Sequence, residues 1–262
     1  MNIIVCIKQV PATTKVETDP QTGTLKRQGV EAVINPLDLH ALEAAVLLKE
    51  RYGGSITAIS MGPPPAEAAL RNAIAVGVDE AILLSDRTLS GSDTLATAYA
   101  LAAAIRRVDS FDLIVCGAKT VDGDTAQVGP ELAEQLGIPN ISFVQRIDGI
   151  DDGRITTERV LDETIQLVSV LLPCVLTVTK EASEPRLPNL KSKINSMHAT
   201  IKLLKASDLD VDHKRIGLNG SPTQVIRVFP PEKRKKGVMF GGLPAEASAR
   251  LLEQLKKIKQ IE

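Results

Sequence analysis

Short runs of apolar, largely β-branched residues recur at 3–7, 55–60, 81–84, 113–116 and 175–178, and most of the intervals carry apolar positions at helical spacing. Runs that are largely apolar on both faces suit strands covered on both sides. Their regular separation by helices predicts an α/β fold with a parallel sheet. Helix starts are marked by cap residues, Asn35 before Pro36 at the first helical position and Asp93 before Thr94 and Leu95. The spacing predicts helices over 37–51, 66–75, 94–107 and 125–136, with Pro63-Pro64-Pro65 as a stiff lead into the second.

Beyond Asn140 the pattern changes to extended pieces at 154–160 and 165–171, divided by Asp151-Asp152-Gly153 and Asp162-Glu163. These predict an antiparallel hairpin or sheet edge. From Pro185 onward the chain is punctuated by Pro188, Pro222, Pro230 and Pro231, followed by the charged run 232–236. The division that results is an α/β domain over residues 1–186 and an extended arm over 187–262 that closes with a helix at 245–258. Val225, Ile226, Val228, Phe229 and Phe240 lie in this arm with no second core to receive them, which predicts packing on another chain.

Composition removes several classes of function. Lys and Arg number 31 against 32 Asp and Glu, so there is no basic footprint for nucleic acid or an anionic membrane surface. Aromatic residues are 2% with no Trp, too few to stack single-stranded bases. The apolar run at 3–7 is too short for a signal-peptide core, and no run is long enough to span a bilayer, so a soluble, cytoplasmic protein is expected. Cys6, Cys116 and Cys174 stand singly in apolar stretches, as structural thiols in a reducing compartment do. His40, His198 and His213 are far apart and lack acids or cysteines at ligand spacing, so no metal site is assigned.

In an open parallel sheet, ligands sit beyond the carboxyl ends of the strands, where helix N-termini offer unpaired N–H groups. Four strand-to-helix loops have suitable small and polar residues: 8–11, 60–62, 90–94 and 116–130. In the last, Gly123 allows close approach to the backbone, and Asp124 or Thr125 can cap the following helix. An ordinary Asp-Gly turn with an N-cap would have the same residues. Asn35 and Asp38 read equally as a cap with a third-position acid, and Asp93, Thr94 and Thr97 as a cap and a polar helix face. No Gly-Lys-Ser/Thr loop and no G-x-S-x-G elbow is present, so redox chemistry would reside in a bound cofactor and no catalytic side chain is assigned.

The stretch Asp122-Gly123-Asp124-Thr125-Ala126-Gln127-Val128-Gly129-Pro130 resembles the nucleotide loop of electron-transfer flavoprotein beta subunits. Ile7-Lys8-Gln9-Val10-Pro11, Asn35-Pro36-Leu37-Asp38, Ser60-Met61-Gly62-Pro63 and Glu184-Pro185-Arg186-Leu187-Pro188-Asn189-Leu190 fall in the same order as in that family. The resemblance implies a Rossmann-like sheet of the adenine-nucleotide α-hydrolase type, with a small antiparallel portion and a C-terminal arm wrapped on an FAD-bearing alpha subunit. Ordinary members hold AMP in the beta subunit; electron-bifurcating members hold a second FAD there. The 122–130 loop is similar to the second group, departing from the more acidic loop of AMP-binding members.

On that resemblance, FAD, or alternatively AMP, would contact Cys6 through its backbone, Asn35, Asp38, Met61, Gly62, and the loop residues Thr120, Val121, Asp122, Gly123, Asp124, Thr125, Ala126, Gln127, Val128 and Gly129. Asp93, Thr94 and Thr97 would line the remaining space. NADH would be the electron donor, with ferredoxin or flavodoxin and an acyl-CoA dehydrogenase-type flavoenzyme as acceptors. Leu187, Pro188, Asn189, Leu190 and Lys191 would form the dehydrogenase-recognition loop, which here has fewer lysines than usual for the family.

Overall fold

A computed structural model describes residues 1–12, 32–226 and 237–258. In chain order the first half contains β1 (Asn2–Cys6), β2 (Gln9–Pro11), β3 (Ala32–Ile34), α1 (Pro36–Tyr52), β4 (Ser55–Met61), α2 (Glu67–Val76), β5 (Glu80–Leu84), α3 (Thr94–Ile105), β6 (Leu113–Gly117) and α4 (Val128–Leu136). The second half contains β7 (Asn140–Asp151), β8 (Arg154–Val160), β9 (Ile165–Leu171), β10 (Cys174–Val178), α5 (Leu190–His198), β11 (Lys202–Leu204) and α6 (Pro244–Lys257).

Among the described residues, nine strands form one sheet in the order β11-β5-β4-β1-β6-β10-β7-β8-β9, and β2 and β3 form a separate antiparallel pair. Pairing is parallel from β11 to β7 and antiparallel from β7 to β9. From β1 the chain steps to β4 and β5, then crosses back to β6 on the other side of β1. Right-handed crossovers in opposite directions place their helices on opposite faces. Accordingly Ile3, Val5, Leu113 and Val115 face a core shared with Ala41, Leu42 and Ala45 of α1 and with Leu70 and Ala73 of α2. Ile4, Ile59, Ile114 and Cys116 face a second core with α3 and with Leu132 and Ala133 of α4.

The Rossmann-like parallel sheet with an antiparallel portion is the expected fold class, and three local expectations are corrected. The helix expected from 125 begins at Val128, because Asp124 and Ala126 take left-handed φ values of 53° and 56° that no α-helix admits. Residues 140–151, left outside the extended pieces in the sequence, form a 12-residue strand whose alternation is broken by register shifts between Val144/Arg146 and Ile147/Gly149. The third concerns the proline-punctuated segment after Pro188, which is helical over α5. Asn189 caps its start by accepting from Ser192 N at 2.8 Å, and Arg71 of α2 caps its end, donating from Nη1 to the carbonyls of Ser196 (2.8 Å), Met197 (2.9 Å) and Ala199 (3.2 Å).

The expected boundary at 186/187 differs from the compact unit found, which runs from Met1 to Ile226. β11 extends the sheet, and Leu204, Ala206, Leu209 and Ile216 are buried with the α3 core. A second unit spans 227–262 and contains α6, whose Leu251 and Leu252 are exposed within the chain. Val228, Phe229, Pro230, Pro231 and the run 232–236 lie outside the described residues.

Candidate nucleotide site

The carboxyl ends of β5, β4, β1 and β6 open into a cavity of about 720 Å³, lined from Leu84, Met61, Cys6 and Gly117 outward. It lies where the sheet order reverses about β1, the expected place for a ligand in a doubly wound fold. All four loops singled out in the sequence reach it. Its volume falls within the roughly 300–1,000 Å³ typical of small-molecule and cofactor sites.

The wall nearest α1 is set by a buried polar group. Asp38 Oδ2 accepts from Lys8 N at 2.7 Å, and Oδ1 accepts from Asn35 Nδ2 at 2.9 Å. Burial pushes the Asp38 carboxyl up to about 7, against the opposing hydrogen bonds from Asn35, Lys8 and Gly117. Gly117 cannot carry a side chain here, since a Cβ would stand 2.3 Å from Asp38 Oδ1. The expected capping role of Asn35 is corrected: its side chain makes no cap bond to α1. Instead Nδ2 also donates to the Lys119 carbonyl at 3.0 Å, and Oδ1 accepts from Val121 N at 3.1 Å. Asn35 thereby fastens the start of the 119–127 loop to the start of α1.

That loop is built to present N–H groups. Asp124 and Ala126 are left-handed, Gln127 returns to right-handed geometry with φ −102° and ψ −32°, and alternation of this kind turns successive amides toward one concavity. Among the described residues, the N–H groups of Thr125, Ala126 and Gln127 make no hydrogen bond. The first turn of α4 adds its own unpaired amides. Such a donor set fits a phosphate group. Neither Asp124 nor Thr125 caps α4, whose N-cap is Gln127, without a side-chain bond. Gly129 brings the helix close to the sheet, with a hypothetical Cβ only 2.3 Å from Thr177 Cγ2.

Ion pairs hold the rim. Lys8 Nζ lies 2.8 Å from Asp122, and Lys119 Nζ 2.8 Å from Asp124. Burial pushes Asp122 upward, but the hydrogen bonds from Lys8 and Thr120 prevail and hold it below the usual carboxylate range. Across the cavity, Asp93 caps α3 through Ala96 N at 3.0 Å, as the sequence predicts, and also accepts from Thr223 N at 3.0 Å. Thr94 Oγ1 lies 3.2 Å from both Gln127 Oε1 and Glu131 Oε1, joining the mouths of α3 and α4.

Of the residues singled out in the sequence, Cys6, Asp38, Met61, Gly62, Asp93, Thr94, Thr97, Thr120, Gly123, Thr125, Ala126, Gln127, Val128 and Gly129 line the cavity. Asn35, Val121, Asp122 and Asp124 do not; they shape the loop from behind or from the rim. Sequence reasoning missed Leu84, Leu89 and Leu101 because apolar core residues and an apolar cavity wall look alike in a sequence. Leu187 and Leu190 lie away from the cavity, 91% and 76% exposed.

A parallel sheet reversing about β1, with a phosphate-ready amide cradle at its carboxyl edge, defines a nucleotide-binding α/β protein. A family model for the electron transfer flavoprotein domain matches residues 22–209. The chain is 46% identical over 256 residues to an electron transfer flavoprotein subunit beta of Thermoanaerobacterium thermosaccharolyticum, covering 97% of this chain and 98% of that one. It is similar to protein FixA of Azorhizobium caulinodans, 42% identical and covering 100% and 96%, and to the caffeyl-CoA reductase-Etf complex subunit CarD of Acetobacterium woodii, 40% identical and covering 98% of each. The chain belongs to the electron transfer flavoprotein family, among its beta subunits. No described helix is long and apolar enough to cross a membrane.

Proposed function

We propose that this chain is the beta subunit of an electron-bifurcating electron transfer flavoprotein, with FAD rather than AMP in the cavity. The span of the cavity carries this reading. It covers the ends of four adjacent strands, about 14 Å at about 4.8 Å per strand spacing, which suits a dinucleotide. The amides of 125–127 would receive the phosphates, and Asp38 with the Lys8 backbone would fix the adjoining end. Leu89, Leu101, Thr94 and Thr97 offer the mixed apolar and polar wall that a ring system needs.

Bound there, FAD would supply hydride acceptance from NADH and division of the electron pair between ferredoxin or flavodoxin and, through the alpha-subunit FAD, an acyl-CoA dehydrogenase-type flavoenzyme. The chain's own part is to hold the cofactor and exclude water. Similarity to a subunit of a caffeyl-CoA reductase-Etf complex supports an acyl-CoA-linked acceptor. Residues 187–191 and the exposed Ile194 and Met197 of α5 form the docking face for that flavoenzyme, and the unit from 227 onward packs on the alpha subunit. The test is NADH oxidation by the purified heterodimer supplied with ferredoxin and the acyl-CoA partner. Oxidation that requires both acceptors is expected; full turnover with the acyl-CoA partner alone would overturn the bifurcating assignment.

A further inference from the structure

Cys6 ends β1, and Cys116 stands beside it in register on β6. Both side chains face the α3/α4 core, and both line the cavity. Neighbouring strands lie about 4.8 Å apart, inside the Cα separation of about 4.4–6.8 Å over which disulfides form. A hydrogen bond with Cys6, and after it burial, raises the Cys116 thiol well above its ordinary pKa. Cys116 is buried, whereas Cys6 is half-buried and reachable through the cavity. Cys174 differs from both, since it faces the α1/α2 core, does not line the cavity, and is pushed by burial up to about 12.

We propose that Cys6 and Cys116 are an attacking and a resolving thiol that keep the empty cavity loadable when it meets a low-molecular-weight disulfide. The Cys6 thiolate attacks one sulfur of the small disulfide, expels one thiolate, and retains the other half as a mixed disulfide inside the cavity. Cys116 gives its proton to solvent and attacks the Cys6 sulfur, expelling the second thiolate. A Cys6–Cys116 bridge remains. In sum, two protein thiols are oxidised, one small disulfide is reduced to two thiols, and the thiol protons pass to those products.

The order of attack follows from the surroundings. Cys6 is half-buried and open to the cavity, whereas Cys116 is buried and its thiol is raised above the ordinary range, so Cys6 reacts first. Capping Cys6 ends its hydrogen bond with Cys116, the largest cause of the raised Cys116 pKa, which frees Cys116 to resolve the adduct. The bridge adds no atoms to the cavity, whereas an unresolved adduct would fill the space the ligand needs. Bound nucleotide would cover both sulfurs; that part alone rests on the nucleotide reading above.

The test treats the full chain, with the cavity ligand removed, with oxidised glutathione and reads intact mass and non-reduced peptide maps. Expected are the loss of two hydrogen masses, one Cys6–Cys116 cross-linked peptide, unmodified Cys174, and retained uptake of FAD or AMP. Cys116→Ser should trap one glutathionyl group on Cys6 and lose nucleotide uptake at least tenfold until a reductant restores it. Cys6→Ser should leave Cys116 unmodified. A stable glutathionyl adduct in the unaltered chain, or no reaction at Cys6, would overturn the proposal. Preloading with FAD or AMP should slow the reaction; if it does not while the bridge still forms, the nucleotide reading fails and the thiol pair stands.

Discussion

Asn35 donates from Nδ2 to Asp38 Oδ1 at 2.9 Å, and this bond joins the loop that follows β6 to the carboxylate that closes the cavity beside β1. Through these two residues the start of α1 serves the site rather than the helix. The raised Asp38 pKa has a defined consequence for stability.

Asp38 has its pKa raised from 3.8 to about 7 in the folded chain, so between those values the folded state binds more protons than the unfolded one. Stability is therefore greatest below about pH 4 as far as this group is concerned, and its contribution is lost as pH rises through about 7, by about 4 kcal/mol in all. Asp38→Asn removes that slope but places an NH₂ where an N–H donor expects an acceptor, costing about 1–3 kcal/mol. Urea denaturation at pH 5 should show the variant less stable than the unaltered chain, with the gap narrowing toward pH 8.

Gly129 rests on Thr177, and the contact is steric. Gly129→Ala should destabilise the chain by about 1–3 kcal/mol, because the new Cβ meets Thr177 Cγ2 at 2.3 Å. Thr177→Ser removes that methyl and keeps the hydroxyl that accepts from Phe143 N at 3.1 Å. The double variant should recover most of the loss in a thermal or urea denaturation cycle.

Glu43 is a buried carboxylate of α1, its side chain 6% exposed, and Arg186 pairs with it at 2.8 Å while also reaching Glu50 at 2.6 Å. Removing the arginine strands the buried charge. Arg186→Ala should cost about 3–5 kcal/mol, and the paired change Glu43→Leu with Arg186→Met should cost less than that single variant. Equal losses from the two in urea denaturation would show that packing, not charge, dominates the contact.

Much of the parallel sheet was legible because buried strands have continuous apolar runs, such as 113–116, that no exposed segment can sustain. Cap residues were legible only where the side chain served its own helix's amides: Asp93 did, and Asn35 did not, since its side chain bonds the Asp38 carboxylate and two backbone groups 84 and 86 positions away. The 125–127 cradle was found by its Asp-Gly turn, yet the left-handed residues are Asp124 and Ala126, and nothing in the local sequence marks Ala126 for that conformation. Helix α5 was hidden because its C-terminal end is held by Arg71, more than a hundred residues earlier in the chain. The Cys6–Cys116 contact depends on the strand order, which places β6 beside β1.

FAD is the proposed occupant of the cavity across β5, β4, β1 and β6. The direct measurement is acid release and chromatographic quantification of the nucleotides held by the purified alpha–beta heterodimer. About two FAD per heterodimer and no AMP are expected; one FAD and one AMP would contradict FAD in the beta subunit.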